Sequence, residues 1–146
     1  MRAFDSIEIL LVEDNPRDAE LTIRAFRKRN LANRVVVARD GAEALAIMFG
    51  CEPGDAGAAE RPKVVLLDLK LPKVDGLEVL RRLKSDDRTR TIPVVIVTSS
   101  RQDPDIAAAY ALGANSYVVK PVEFEAFMEA MSHLGFFWLM VNQSLK

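Results

Sequence analysis

The sequence predicts an α/β fold, in which five βα units, written (βα)5, build one doubly wound, five-stranded parallel sheet. Two observations lead to this prediction. Short runs rich in Val and Ile recur along the chain, and segments in which apolar residues have helical spacing separate these runs. The central runs are nearly all apolar, as expected of strands that helices cover on both faces. A length of 146 residues is typical of a single domain of this class.

The individual elements follow from the local patterns. Strands are predicted at 7–12, 34–38, 63–67, 92–97 and 116–119. Between and after them, apolar or small residues recur at i, i+3, i+4 and i+7, which places them on one face of a helix. These stripes are Ala19, Thr22, Ile23 and Phe26; Ala42, Leu45, Ala46 and Phe49; Gly76, Val79, Leu80 and Leu83; Ile106, Ala109, Tyr110 and Gly113; and Phe124, Phe127, Met128 and Met131. Asn15 and Pro16 are typical of a helix start, and Gly113 of a helix end.

The composition excludes several classes of protein. Lys and Arg number 20 against 21 Asp and Glu, so no basic excess favours nucleic acid or an anionic membrane. The single Cys51 and single His133 exclude an internal disulfide and a His/Cys zinc cluster. Acidic residues close to the first apolar run argue against a signal peptide or membrane span. We expect a cytoplasmic protein with one domain over 1–142, which includes an extended C-terminal helix, and a tail at 143–146.

Polar side chains stand at the carboxyl ends of four predicted strands. Glu13 and Asp14 follow the first strand, Asp68 the third, Thr98 the fourth and Lys120 the fifth. Taken singly, each has an ordinary explanation: acids at a helix start, a turn Asp, a strand Thr and a salt-bridge Lys. The carboxyl ends of parallel strands meet at one edge of the sheet, where ligands bind in this class of fold. Their coincidence at that edge therefore predicts a functional site.

The residue types indicate which chemistry such a site hosts. Three carboxylates repel one another and one lysine cannot neutralise them, so a hard divalent cation is expected, and Mg²⁺ fits best. Mg²⁺ usually completes its shell with phosphate oxygens, which favours phosphoryl transfer. Asp68 is the most central acid and the best candidate nucleophile. Glu13 and Asp14 would then hold the metal, while Lys120 and Thr98 would contact phosphoryl oxygens.

Four strings of the sequence resemble the receiver domains of two-component response regulators, which have a flavodoxin-like fold. They are ILLVEDNPRDAE, VVLLDLKLPKVDG, PVVIVTSS and GANSYVVKP. The resemblance implies that Asp68 accepts a phosphoryl group from the phosphohistidine of a sensor histidine kinase or phosphotransfer protein. It also implies that Asp14, Asp68 and the main-chain carbonyl of Lys70 hold Mg²⁺, while Glu13 acts through a metal-bound water. Thr98 would be the switch hydroxyl.

The resemblance implies two further features near the same edge. Tyr117 would be an aromatic switch, although an ordinary aromatic strand residue is the other interpretation of this position. The peptide bond between Lys120 and Pro121 would be cis. Lys70 and Ser100 occupy variable positions that would flank an attacking water, and the sequence leaves the lifetime of a phosphoryl group open.

The C-terminal segment is unusually apolar. Residues 136–141 are apolar without a break, which favours contact with a second subunit or partner through Phe136, Phe137, Trp138 and Leu139. We expect a homodimer, with folding back onto the same domain as the alternative. The loop at 50–62 and the FFWL ending resemble receivers that are paired with bacterial phytochrome kinases. Because little chain follows the fifth helix, we expect no output domain and a signal that passes by contact to a downstream protein.

Three other functions were compared with this interpretation. An adaptor with the same fold would bind a partner without phosphorylation, but every required side chain is present. An aspartyl-phosphate hydrolase normally has a second Asp two residues after the nucleophile, where this chain has Lys70. A flavin carrier is disfavoured because the carboxylates of EDNPRD would repel a flavin phosphate. The expected function is therefore that of a signalling protein and not an enzyme.

Overall fold

The computed structural model describes residues 9–28, 35–50 and 61–132, and it has the predicted (βα)5 fold. Strands and helices alternate throughout. Their bounds are β1 Ile9–Val12, α1 Pro16–Lys28, β2 Val35–Ala38, α2 Gly41–Phe49, β3 Val64–Asp68, α3 Gly76–Ser85, β4 Val94–Thr98, α4 Asp105–Ala111, β5 Ser116–Val119 and α5 Phe124–Ser132.

All five strands lie in one parallel sheet with the order β2-β1-β3-β4-β5. In this order β1 and β3 are neighbours, while β2 lies on the far side of β1. The chain therefore leaves β1 in one direction and β3 in the other, which opens a crevice at the carboxyl ends of these two strands. The predicted doubly wound parallel sheet is confirmed.

The three central strands, β1, β3 and β4, are buried on both faces, and successive side chains of each strand point to opposite sides of the sheet. One face packs on α1 and α5, and the other on α2, α3 and α4. The first cluster includes Ile9, Leu11, Val64, Leu66, Val95 and Val97, and the second includes Leu10, Val12, Val65, Leu67, Val94 and Ile96. Near-continuous apolar strands are what a sheet with two covered faces requires.

An aromatic pair joins the two helices on the first face. Phe26 of α1 and Phe127 of α5 are both fully buried, and their ring centroids lie 4.7 Å apart at 48°. Such a tilted pair adds to the free energy gained from burying the rings. It fixes α1 relative to α5, and with it the first turn of α1 at the carboxyl edge of the sheet.

The predicted ends of two helices are confirmed. The Asn15 side chain accepts hydrogen bonds from the backbone N–H groups of Arg17 (2.9 Å) and Asp18 (3.2 Å), which caps α1 directly before Pro16. Gly113 has φ 111°, a conformation that favours glycine, just after α4 ends at Ala111.

Two predicted helix faces are partly wrong. In α2 the buried residues are Gly41, Ala44 and Met48, while Ala42 is exposed. This helix is apolar on almost every side, so its spacing does not select one face. In α4, Tyr110 is 44% exposed and lies edge-on to Tyr117, with 6.4 Å between the ring centroids.

Several predictions fall on residues outside the described ranges. They are the first two residues of the β1 prediction, the first residue of the β2 prediction, the loop at 51–60, the extension of the last helix beyond Ser132, the tail at 143–146 and the contact surface at 136–139. The side chains of Phe124 and Met131 in the predicted stripe of α5 also lie outside the description. Within the described ranges, every helix is too short or too polar to cross a bilayer.

Candidate functional site

The predicted site residues meet at the carboxyl edge of the sheet. Glu13 and Asp14 directly follow β1, Asp68 and Thr98 are the last residues of β3 and β4, and Lys120 directly follows β5. An open cavity of about 240 Å³ at this edge is lined by all five side chains. A larger cavity of about 740 Å³ lies between α1 and β2, and Asp68, Thr98 and Lys120 do not line it.

The Lys120 ammonium lies at the centre of the site. Its Nζ is 2.9 Å from Asp68 Oδ2, 3.0 Å from Glu13 Oε1 and 3.2 Å from Asp18 Oδ2. The side chains of Glu13 and Asp68 are buried, that of Asp18 is about one-third exposed, and Lys120 itself is largely covered. Charge-assisted hydrogen bonds of this kind are stronger than neutral ones. One cation thus connects three separate elements of the chain.

Burial and neighbouring charges shift the pKa values of Glu13 and Lys120. Burial raises the pKa of Glu13 to about 7, even though the Lys120 ammonium opposes this shift. Burial alone would lower the pKa of Lys120, but hydrogen bonds to Asp68 and Glu13 outweigh that effect and raise it. Lys120 is therefore charged at neutral pH, whereas Glu13 is near the midpoint of its titration.

Asp68 is held from two sides. Its Oδ2 accepts from Lys120 Nζ, and its Oδ1 accepts from the backbone N–H of Lys70 at 3.1 Å. A Cβ on Gly76 would lie 2.4 Å from Leu69 Cα and 2.5 Å from the Asp68 carbonyl oxygen, so α3 can begin this close to β3 only with glycine. The end of β3 and the start of α3 together fix the carboxylate at the edge.

The carboxylates form a cluster that can hold a cation. Oxygen atoms of Glu13, Asp14 and Asp68 all lie within 4.8 Å of one another. Asp14 is exposed, whereas the other two are buried. An all-oxygen donor set with one open, solvated side is the arrangement that Mg²⁺ accepts, because this ion keeps several waters. With the Lys120 ammonium among these acids, the residues present fit the predicted metal.

Thr98 lies at the edge, but its hydroxyl has partners other than Asp68. Thr98 Oγ1 lies 3.1 Å from the carbonyl oxygen of Ser100 and 3.2 Å from Asp103 Oδ2. Asp103 Oδ1 accepts from the backbone N–H of Asp105 at 2.8 Å, at the start of α4. The hydroxyl is therefore connected to the N-terminus of α4.

The remaining predicted residues lie around this centre. Tyr117 is half-buried in β5, and its ring contacts that of Tyr110. The peptide bond between Lys120 and Pro121 is cis, as the family resemblance implies. The Lys70 side chain is exposed, while its backbone N–H reaches Asp68.

Two residues of the site escaped the sequence analysis. Asp18 contacts Lys120 from the first turn of α1, and Asp103 contacts Thr98 from the loop before α4. The position of Asp18 three residues after the Asn15 cap places it in the turn of α1 that lies at the carboxyl edge. The sequence Asp-Pro-Asp before α4 is a helix-start signal that points to Asp103 as a cap.

The comparisons with known proteins agree with this geometry. The family model described as "Response regulator receiver domain" matches residues 9–132. The probable methanogenesis regulatory protein FilR2 of Methanothrix harundinacea is 42% identical over 144 residues, which are 99% of this chain and 91% of that protein.

Two solved structures have the same fold at substantial sequence identity. The bacteriophytochrome response regulator AtBRR has a TM-score of 0.81 and 56% identity, with 91% of this chain and 95% of that chain covered. The phosphorylated cyanobacterial phytochrome response regulator RcpA has a TM-score of 0.71 and 36% identity, with 93% and 96% covered. Because the family model spans most of the chain and these relatives align along nearly its whole length, the protein belongs to the response regulator receiver domain family.

Proposed function

We propose that this protein is a cytoplasmic response regulator that accepts a phosphoryl group on Asp68 in a Mg²⁺-dependent reaction. The observation that supports this most directly is the Asp68 carboxylate itself. It is buried at the end of a central strand, it is paired with Lys120, and two further carboxylates lie within 4.8 Å. A buried carboxylate is costly unless it is paired or binds a cation, and three carboxylates around one ammonium leave a negative charge that a cation can neutralise.

The proposed reaction is a direct displacement. An oxygen of Asp68 forms a bond to the phosphorus of a phosphohistidine, the P–N bond breaks, and its electron pair remains on the imidazole, which takes up a proton from solvent. Glu13, Asp14, Asp68 and the carbonyl of Lys70 would hold Mg²⁺, which when bound neutralises charge on the phosphoryl oxygens. Lys120 supplies a positive charge beside Asp68, 2.9 Å from its Oδ2.

Thr98 is proposed to respond to the phosphoryl group. Its hydroxyl would exchange the Ser100 carbonyl and Asp103 for a phosphoryl oxygen. Because Asp103 also caps α4, this exchange would change the start of that helix, and Tyr117 would adjust against Tyr110. A two-state surface of this kind passes a signal by contact with a downstream protein.

The proposed donor is a sensor histidine kinase of the phytochrome type or an associated phosphotransfer protein. The support for it is the similarity to AtBRR and RcpA, both of which are described as phytochrome response regulators. We also propose a homodimer in which Phe136, Phe137, Trp138 and Leu139 take part. Light scattering of the protein with and without beryllofluoride tests this: a mass that stays that of the monomer at all concentrations would contradict it.

The function is tested by intact mass after incubation with acetyl phosphate, with and without Mg²⁺. The wild-type protein should gain one phosphoryl group only when Mg²⁺ is present, and Asp68→Ala should gain none under either condition. Acid quenching preserves a short-lived acyl phosphate. If the wild type gains no phosphoryl group under any condition, the proposal is overturned in favour of a phosphorylation-independent adaptor.

A further inference from the structure

Asp18 is the third carboxylate on Lys120, and it differs from the other two. It lies in the first turn of α1, with Oδ2 3.2 Å from Lys120 Nζ. Its backbone is fixed by two contacts: its N–H donates to the Asn15 side chain, and its carbonyl oxygen accepts from the Thr22 hydroxyl at 3.0 Å. The carboxylate therefore projects from a rigid and capped helix start.

The other two acceptors of Lys120, Glu13 and Asp68, are also candidate metal ligands. Glu13 and Asp68 belong to the cluster of carboxylate oxygens that lie within 4.8 Å of one another, together with Asp14. Asp18 is outside that cluster. A divalent cation in the cluster would compete with the ammonium for Glu13 and Asp68, but it would leave Asp18 to Lys120 alone.

The competition has a clear electrostatic consequence. A doubly charged ion beside the oxygens of Asp68 repels an ammonium that lies 2.9 Å from one of them. A lysine side chain also gains rotamer freedom when it leaves a partner for solvent. Without another charged acceptor, Lys120 would remain on Glu13 and Asp68 and oppose the cation. A carboxylate on α1 reduces this competition because it gives the ammonium a separate charged acceptor beside Asp68.

We infer that Asp18 is a positioning residue that keeps the Lys120 ammonium beside Asp68 while a divalent cation occupies the carboxylates of Glu13 and Asp68. This inference rests on the proposed function, since it assumes that a cation binds there. With Asp18 in place, a metal can bind the acids while Lys120 stays next to the phosphoryl acceptor.

The test is calorimetric titration of Mg²⁺ into the unphosphorylated protein. In Asp18→Asn, the separate acceptor of Lys120 has lost its negative charge, so the ammonium competes harder for Glu13 and Asp68. We expect the Kd for Mg²⁺ to rise about threefold to fivefold, as for the loss of a partly exposed ion pair. Glu20→Gln is the matched control. It removes one negative charge from an exposed side chain of the same helix that pairs with Arg24, and it should leave the Kd unchanged.

Repeating the titration in the Lys120→Met variant distinguishes a positioning role of Asp18 from a direct attraction of its charge for the metal. In Lys120→Met there is no ammonium to hold, so adding Asp18→Asn should leave the Kd of that variant unchanged. An equal weakening in both backgrounds, or no weakening in the wild-type background, would overturn the inference while the metal site stands. If the wild type binds no Mg²⁺, the proposed metal site fails, and this inference fails with it.

A measurement without metal completes the test. In EDTA, the unfolding midpoints of the wild type, the two single variants and the double variant form a cycle. We expect the loss caused by Asp18→Asn to be smaller in the Lys120→Met background. Purely additive midpoints would mean that the contact between Asp18 and Lys120 does not form in solution, which would contradict the inference.

Discussion

Two lysines, at opposite edges of the sheet, each donate three hydrogen bonds. At the amino edge, Lys84 Nζ donates to the carbonyl oxygens of Arg90 (3.1 Å) and Ile92 (2.9 Å) and to Asn115 Oδ1 (3.0 Å). At the carboxyl edge, Lys120 donates to three carboxylates. The same side chain thus meets only neutral acceptors at one edge and only charged acceptors at the other.

This difference separates a structural contact from a functional one. Burial lowers the pKa of Lys84 because its neutral acceptors do not compensate the lost hydration, whereas its counterpart Lys120 has a raised pKa. Lys84 joins α3 to the segments before β4 and β5, and its neutral acceptors carry no net charge that would attract a second cation. The acids around Lys120 exceed it in charge, so they retain affinity for a second cation.

The largest expected effect comes from removing the lysine at the carboxyl edge. Lys120→Met leaves buried carboxylates without their ammonium, which we expect to lower the unfolding free energy by about 3 kcal/mol in EDTA. Loss of its charge beside Asp68 should slow phosphorylation at least about tenfold. Mg²⁺ at 100 times its Kd adds about 2.7 kcal/mol. This addition should return Lys120→Met to nearly the stability of the metal-free wild type.

Urea unfolding with and without Mg²⁺ measures the stability, and intact mass against time measures phosphorylation. A stability loss in Lys120→Met that Mg²⁺ does not reduce would mean that the carboxylates are not available to a cation. The carboxyl edge would then be a purely structural contact, as the amino edge is.

The same change at the amino edge should have a smaller and simpler effect. Lys84→Met leaves the carbonyl oxygens of Arg90 and Ile92 without this donor and removes one of the two hydrogen bonds to Asn115 Oδ1. We expect a loss of about 2 kcal/mol that Mg²⁺ does not alter. Phosphorylation from acetyl phosphate should proceed at the wild-type rate. A rate that falls in proportion to stability would show that the two edges are coupled and would contradict a purely structural role for Lys84.

Protonation of Glu13 is a further property that only the carboxyl edge should show. Its pKa is raised from 4.5 to about 7, so the folded state holds a proton that the unfolded chain has already released. Stability contributed by this group is present at acidic pH and is lost as the pH rises from about 4.5 through 7. Relative to Glu13→Gln, the metal-free wild type should lose about 1 to 3 kcal/mol across this window.

Urea unfolding of both proteins in EDTA at intervals of pH measures this difference. The Gln variant cannot titrate at this position, so it serves as the reference for the pH dependence of the wild type. A difference between the two proteins that stays constant from pH 4 to pH 8 would contradict the effect of burial on this carboxyl.

The smallest expected effect concerns the loop that connects Thr98 to α4. Asp103→Ala removes the cap on the N–H of Asp105, and we expect a loss of about 1 kcal/mol in unfolding free energy. Asp103→Asn keeps an oxygen acceptor and should remain near the wild type. Equal losses in both variants would show that the charge, and not the cap, stabilises this end of α4.

The sequence predicts most of this fold because the determining interactions are local or periodic. Apolar runs identify all five strands, and the Asn15 cap and Gly113 identify helix ends. It does not predict the buried face of α2, because that helix is apolar on almost every side and its neighbours select the face. It also places β4 two residues too early, because Pro93 has no N–H to donate and the strand begins at Val94.

The candidate site likewise has residues that the sequence places correctly and contacts that it does not predict. Residues at strand ends could be placed together from topology alone, since the carboxyl ends of parallel strands share an edge. The contact of Asp18 with Lys120 depends on how α1 packs against α5, and the contact of Thr98 with Asp103 depends on the path of a loop. Local helix-start signals place Asp18 and Asp103 near the edge, but the side chains that they contact depend on tertiary packing, so the partners of the site are harder to predict than its centre.

We propose that Asp68, and no other residue, carries the phosphoryl group. Treating the acetyl phosphate-labelled protein with borohydride, which reduces an aspartyl phosphate to homoserine, and sequencing the peptides in a mass spectrometer identifies the modified residue. We expect homoserine at position 68 only, and only in samples that contained Mg²⁺. Homoserine at position 14 or 18, or a stable phosphate on a hydroxyl side chain with none at position 68, would contradict it.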